Sequence, residues 1–225
     1  MATEALPVDV QIRLPKGSRF WQERRMLKLH FAPLTRSIRI RWLLEELELE
    51  YELLRSDFNR DGDKGFAQVT PSGNYPYFED GDVALSESGA ILQYVLEKYG
   101  NGRLEPAIGS QARSDYLQWL HFAEGTAANP INTIVWLTVY RQDAAQHTAI
   151  IDAVRGSANT IFDKVETALA DQQFLAGNEL TAADLMMGFT LATAKWLQVL
   201  TADHSRTLDY VDRLFARPAL QRSLN

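Results

Sequence analysis

At 225 residues the chain is long enough for one large domain or two small ones sharing an interface. Its 46% hydrophobic and 23% charged content suits a globular protein with a sizeable core, and its formal net charge of −6 argues against nucleic acid as the main partner, because a phosphate-binding surface shows as a basic excess. With no cysteine there is neither a disulfide framework nor a thiolate metal site, so an enzyme here needs another nucleophile or a thiol brought by a ligand.

Residues 1–25 carry two prolines and no clear period, and they read as an extension ahead of the fold. Two readings stand: a frayed tail, or an arm pinned by the adjacent aromatics Phe20 and Trp21. Met26 is a second candidate start of the compact unit. "MLKLHF" (26–31) alternates apolar and polar residues, which predicts a strand. "SIRIRWLLEELELEY" spaces Ile38, Trp42, Leu43, Leu47 and Leu49 near a helical period, so a helix is expected from about Ser37. "YELLRSDF" (51–58) is a second strand, and a strand, a helix and a strand within ~30 residues form a right-handed parallel βαβ unit.

"PYFED" (76–80) and "DVALS" (82–86) read as two strands of a hairpin turning at Asp80-Gly81, with Pro76 tolerated at the start of an edge strand. "SESGAILQYVLEKY" follows as an amphipathic helix with Ile91, Leu92, Val95, Leu96 and Tyr99 on its apolar side. Ser86 is its expected N-cap, and Glu87 suits the positive end of the helix dipole. The same helix start gathers the Ser88 hydroxyl, free N–H groups and the Glu87 carboxylate, a set able to grip the carboxylate and amine of an amino-acid-like group. This first part, 26–100, is a small α/β sandwich.

"GNGRLEPAIG" is rich in Gly and Pro and reads as a linker, 101–109. Everything after it, 110–225, reads as helix, at about 110–140, 144–170, 182–200 and 206–216. Thr181 with Asp184 three residues on makes a capping-box-like start. His121 and Glu124 share a helix face, but four scattered histidines supply no further ligand set, so no metal is expected. The apolar runs are too short to span a bilayer, and the N-terminus lacks the uninterrupted apolar core of a signal peptide, so no membrane contact and a cytoplasmic location are expected.

"PSGNYPYFEDGDVALSESGAILQYVLEKY", following "APLTRSIRIRWLLEELELEYEL", resembles the thioredoxin-like domain of cytosolic glutathione S-transferases, with theta-, beta- and nu-like bacterial members the most similar in kind. "LTAADL" and "ARPALQRSL" (216–224) resemble stretches of the family's second domain, so the likeness covers about residues 26–220. It implies an α/β thioredoxin-like N-terminal domain, an all-α helical C-terminal domain, and glutathione as co-substrate. By the same resemblance the Tyr75 backbone, before a cis Pro76, pairs with the cysteinyl part of the tripeptide, and Glu87 and Ser88 hold its γ-glutamyl end. Asn74 stands where the family often has Lys, which loses a salt bridge to the glycyl carboxylate; Lys64 or Arg60 is the candidate replacement.

The thiol needs a donor beside the sulfur, since a free thiol with a pKa of ~8.5 is only a few per cent ionised at neutral pH. Matching Arg39 to the arginine of theta-like members puts Thr35 at their serine, whereas counting as in beta- or nu-like members gives Arg36 or Ser37. Ser37 equally reads as a simple helix cap. The turn has no tyrosine or cysteine, which excludes those two forms of thiol activation there. Trp119, Phe122, Trp136 and Tyr140 are candidate walls of a pocket for a small hydrophobic electrophile, although aromatics at helical spacing are mostly core. The resemblance also implies a homodimer. Three functions compete: transfer of the glutathione thiolate to an electrophile, a nu-like disulfide reductase or peroxidase, and a non-catalytic glutathione-binding module.

Overall fold

Alternation over Leu27–Phe31 makes β1 and turns Leu27, Leu29 and Phe31 into the core. The computed structural model describes residues 26–56 and 73–224. In it β1 passes through a tight turn into α1 (Ser37–Glu46), and the chain returns as β2 (Tyr51–Arg55), paired with β1 in parallel. Ile38, Trp42, Leu43 and Leu47 are buried, as their spacing predicts.

β3 (Tyr77–Asp80) and β4 (Val83–Ser86) form the antiparallel hairpin. Its loop is Gly81-Asp82, one residue beyond the expected turn. Gly81 takes φ 62°, at the position where a two-residue II′ turn wants glycine. β3 also pairs antiparallel with β1, giving the order β2-β1-β3-β4. β3 is therefore an inner strand, and the tolerance of Pro76 does not come from an edge position. Pro76 stands just ahead of the ladder, whose first pairs use Tyr77, so its missing N–H costs the sheet nothing. The Tyr75–Pro76 bond is cis.

The next helix, α2 (Ser88–Val95), runs on as a π-helical turn, Leu96–Gly100. The Tyr94 hydroxyl donates to the buried Asp80 carboxylate at 2.8 Å, and Tyr99 and Lys98 donate to the same oxygen, tying the hairpin to this helix. Residues 101–110 hold turns only.

Residues 111–140 are one continuous helical run: α3 (Gln111–Phe122), a π turn Ala123–Ala127, α4 (Ala128–Val135) and a second π turn Trp136–Tyr140. Ser110 caps its start by accepting from the Arg113 N–H at 3.2 Å. Then come α5 (Thr148–Ala168), α6 (Ala182–Trp196), α7 (Ser205–Phe215) and α8 (Pro218–Leu224). The capping box forms as read: the Thr181 N–H donates to Asp184 Oδ2 at 2.7 Å. α8 begins with proline at the first helical position, where its missing N–H has no intrahelical partner to lose. It returns to α1, which Arg217 clamps through Glu46 at 2.7 and 2.9 Å. One apolar core runs from the sheet through α1 and α2 into the helical half.

Candidate active site

The β1–α1 turn is built by two hydroxyls. Thr35 Oγ1 lies 2.7 Å from both the Ala32 carbonyl and Ser37 Oγ, and Ser37 Oγ donates to the Ala32 carbonyl at 2.9 Å. The Ala32 N–H donates to Ser37 Oγ at 3.2 Å, and the Ser37 N–H donates to Thr35 Oγ1 at 3.3 Å. Ser37 is 0% exposed, so its hydroxyl closes the turn and is out of reach of a ligand. That corrects its candidacy as a thiol donor. It also corrects the capping reading: Arg36 is the N-cap residue, without a side-chain cap, and Ser37 is the first helical residue. Thr35 and Arg36 remain half-exposed at the lip of the turn.

At the other helix start the cap is Glu87, not Ser86, and its side chain makes no capping bond. Glu87 is held at φ 70°, a region where a residue with a Cβ is strained by the order of 1–3 kcal/mol, and its carboxylate-bearing side chain is exposed. Strain of this kind persists only where the surroundings enforce it. Ser88 is buried beside it, and its Oγ accepts from Arg39 Nη1 at 3.1 Å. Asn74 is exposed and Tyr75 half-buried immediately before β3. Lys64 and Arg60 lie outside the described residues.

Sequence reasoning used Arg39 only as a spacing marker. In the fold it is a hub. It is 0% exposed, and its Nη1 donates to Ser88 and to Glu124 Oε1, while Nη2 donates to Thr190 Oγ1 at 2.9 Å. Its Nε–H is buried with no partner among the described residues. Burial pulls the guanidinium down to about 10, against the pull of the Glu124 carboxylate to raise it. Glu124 sits in the π turn after α3 and also meets Arg36 Nε at 3.5 Å. It is thus an arginine partner, and its sequence neighbourhood with His121 has no role here. The available signal was a pair of arginines at i and i+3 in which Arg39 falls on the buried face of an apolar helix.

An apolar cavity of about 220 Å³ lies against the β1–α1 turn, bordered by Leu34 and Ile38 on either side of Thr35–Ser37. Tyr140 lines it, together with Trp42, Phe189 and Phe215, none of which the sequence marked as a pocket residue. Trp196, 63% exposed, stands at its edge. A Cβ at Gly188 would lie 2.6 Å from Leu214 Cδ1 and 3.4 Å from Trp42 Cζ3, so glycine sets how closely α6 approaches this wall. Of the four expected aromatics, three fall outside the lining. Trp119 is buried edge-on to Phe122 at 5.2 Å, and Phe122 is covered by Lys164 of α5. Trp136 is 55% exposed and leans on Tyr140 at 5.7 Å. The helical period gives the apolar side of a helix but not the neighbour that covers it.

With these two helix starts joined by a buried arginine and an apolar cavity at their side, the comparisons with known proteins fall into place. The model of the glutathione S-transferase N-terminal domain matches residues 26–97, and that of the C-terminal domain matches 128–218. Glutathione S-transferase 3 of Schizosaccharomyces pombe is 31% identical over 183 residues, covering 76% of this chain and 75% of that protein. The chain belongs to the glutathione S-transferase family. The solved structure of a glutathione S-transferase from Actinobacillus pleuropneumoniae matches 88% of this family member and 91% of that chain, at 27% identity and a TM-score of 0.76. A glutathione transferase of Phanerochaete chrysosporium, solved with oxidised glutathione, shares the fold at 23% identity, with a TM-score of 0.76 over 90% and 95% of the two chains. The α/β thioredoxin-like half and the all-helical half are those of this family. No helix among the described residues is long and apolar enough to cross a membrane.

Proposed function

We propose that the chain binds glutathione along Asn74, Tyr75, Glu87 and Ser88 and transfers its thiolate to a small hydrophobic electrophile held in the cavity. The observation that carries this reading is the chain order Leu34–Thr35–Arg36–Ser37–Ile38: the two apolar ends line the cavity, and the polar middle is the turn where a thiol donor is wanted. A sulfur beside Thr35 is therefore next to an apolar, water-poor space.

The Thr35 hydroxyl donates to the Ala32 carbonyl at 2.7 Å, a carbonyl that Ser37 also serves; in this reading Thr35 exchanges that bond for one to the sulfur, and Ser37 keeps the carbonyl. Thr35 acts as a hydrogen-bond donor to the anion and not as a base. Arg36 adds positive charge at the same lip, and Glu124 limits where it can swing. The thiolate lone pair forms the S–C bond, the leaving group departs with the electrons of its own bond, and the thiol proton goes to solvent. The cavity excludes water and holds the electrophile. The γ-glutamyl carboxylate meets the free N–H groups of α2 and the Ser88 hydroxyl, and its amine meets the Glu87 carboxylate. A homodimer is part of the proposal, supported by the family resemblance and by the commonness of two-fold pairs; light scattering at the monomer mass over a wide concentration range would oppose it.

The deciding assay incubates the protein and glutathione with an aryl halide, a peroxide and a small disulfide. Conjugation of the aryl halide supports the transferase reading. Turnover of the peroxide or disulfide alone replaces it with the reductive one, and calorimetry without glutathione binding removes both.

A further inference from the structure

We propose that Arg39 is a positioning residue that couples the two binding sites: a ligand in the apolar cavity strengthens binding at the Ser88 helix start, and the reverse, through this one guanidinium. The inference rests on the glutathione reading above, which supplies the second ligand.

Four contacts carry it. Nη1 holds the Ser88 hydroxyl at 3.1 Å, at the start of α2. The same nitrogen holds Glu124 on the π turn after α3. Nη2 holds Thr190 at 2.9 Å, on α6. The guanidinium carbon lies 5.1 Å from the centre of the Phe189 ring, and Phe189 lines the cavity. Neighbouring residues of α6 thus present the cavity wall and the arginine anchor, and α2 presents the candidate γ-glutamyl site at the other end of the same fork.

A guanidinium is planar and rigid, so its nitrogens cannot be repositioned independently. A shift that follows Thr190 at Nη2 changes the aim of Nη1 at Ser88. The environment supplies the direction of the effect. Arg39 is wholly buried, yet one N–H has no partner among the described residues, so its desolvation is incompletely repaid. A neutral ligand against Phe189 expels water from the part of that ring that lines the cavity. The ring–cation contact and the charge-assisted bonds to Ser88 and Glu124 all strengthen when water is removed. Ser88 is then held more firmly in the orientation that receives a carboxylate. By linkage the gain is reciprocal: whatever factor the cavity ligand gives to glutathione, glutathione gives to it.

The test measures the affinity of S-methylglutathione, which has no free thiol and cannot react, with and without saturating 2-naphthol as a neutral cavity probe. In the parent protein the probe is expected to tighten S-methylglutathione by about fivefold or more, the lower end of usual coupling between sites. Thr190→Val cuts the Nη2 anchor while keeping shape. In it the factor should fall below about twofold. Arg39→Lys keeps the charge but loses the fork, and it should bring the factor to about one. If that variant does not fold, Thr190→Val decides alone. A parent in which the two ligands bind independently, a probe that fails to bind the parent, or a Thr190→Val protein with the parent's factor overturns the coupling and leaves the glutathione reading intact. Failure of S-methylglutathione to bind the parent overturns both.

Discussion

Arg39 and Asp184 are both charged side chains at 0% exposure, and they are buried in opposite ways. Asp184 lies inside the helical half with every lone-pair direction used: the Leu175 N–H and the Tyr210 hydroxyl reach Oδ1 at 2.9 and 2.7 Å, and Thr181 reaches Oδ2 through its N–H at 2.7 Å and its hydroxyl at 2.8 Å. The four donors come from the Thr181 cap, the turn ahead of it and α7. Desolvation still holds the carboxyl above its ordinary value, against those donors. Arg39 bridges both halves of the molecule, touches a cavity wall and a helix start, and leaves an N–H without a partner among the described residues. A buried charge satisfied within one unit secures that unit. One shared among units and incompletely satisfied is sensitive to what binds near it.

Substitutions at the two positions should therefore separate stability from binding. Asp184→Ala strands several buried donors and should cost about 3–5 kcal/mol in chemical denaturation, the largest loss expected here. A cost under about 1 kcal/mol would remove the contrast, since the cap would then be dispensable. On the binding side, Ser88→Ala and Glu87→Ala should each weaken glutathione by about 1–3 kcal/mol in calorimetry, with stability nearly unchanged for the exposed Glu87. Unchanged affinity in both variants would take the γ-glutamyl site away from α2.

The turn hydroxyls sharpen the same division at a finer scale. Thr35→Val should raise the pKa of bound glutathione thiol, read as thiolate absorbance against pH, and lower the rate by up to ~10²–10³, while affinity holds. Ser37→Ala should instead loosen the turn and lower stability by about 1 kcal/mol with a smaller effect on the thiol, because its hydroxyl faces Ala32. The reverse pattern would restore Ser37 as the donor.

The smallest effect expected lies far from either site. Desolvation acts to raise the Glu166 carboxyl, but the Thr207 and Arg206 N–H groups and the Thr207 hydroxyl outweigh it and hold it below its usual 4.5. A depressed carboxylate contributes stability that is present above its unfolded pKa and is lost as pH falls through the lower folded value. The stability difference between the parent and Glu166→Gln should thus be flat above about pH 5 and shrink on acidification. A difference that grew toward acid pH would reverse the assignment.

Periodicity and turn chemistry determined the elements by themselves. Alternation gave β1, Asp80-Gly81 marked the hairpin, Thr181 with Asp184 opened α6, and the apolar spacing of α1 and α2 matched their buried faces, because each of these is a preference within a few residues of chain. The motif around Tyr75-Pro76 and Glu87-Ser88 carried the family resemblance for the same reason. Tertiary structure decided what stands against what. It put β3 inside the sheet, sealed Ser37 into its turn, sent Trp119 into the core with Phe122 packed against it, and brought Phe189 and Phe215 to the cavity. It also joined Arg39 to Ser88 and Glu124, 49 and 85 residues away in the chain. A helical period names the side of a helix that must be covered, but the partner that covers it comes from packing between elements distant in sequence, and no local preference encodes that choice.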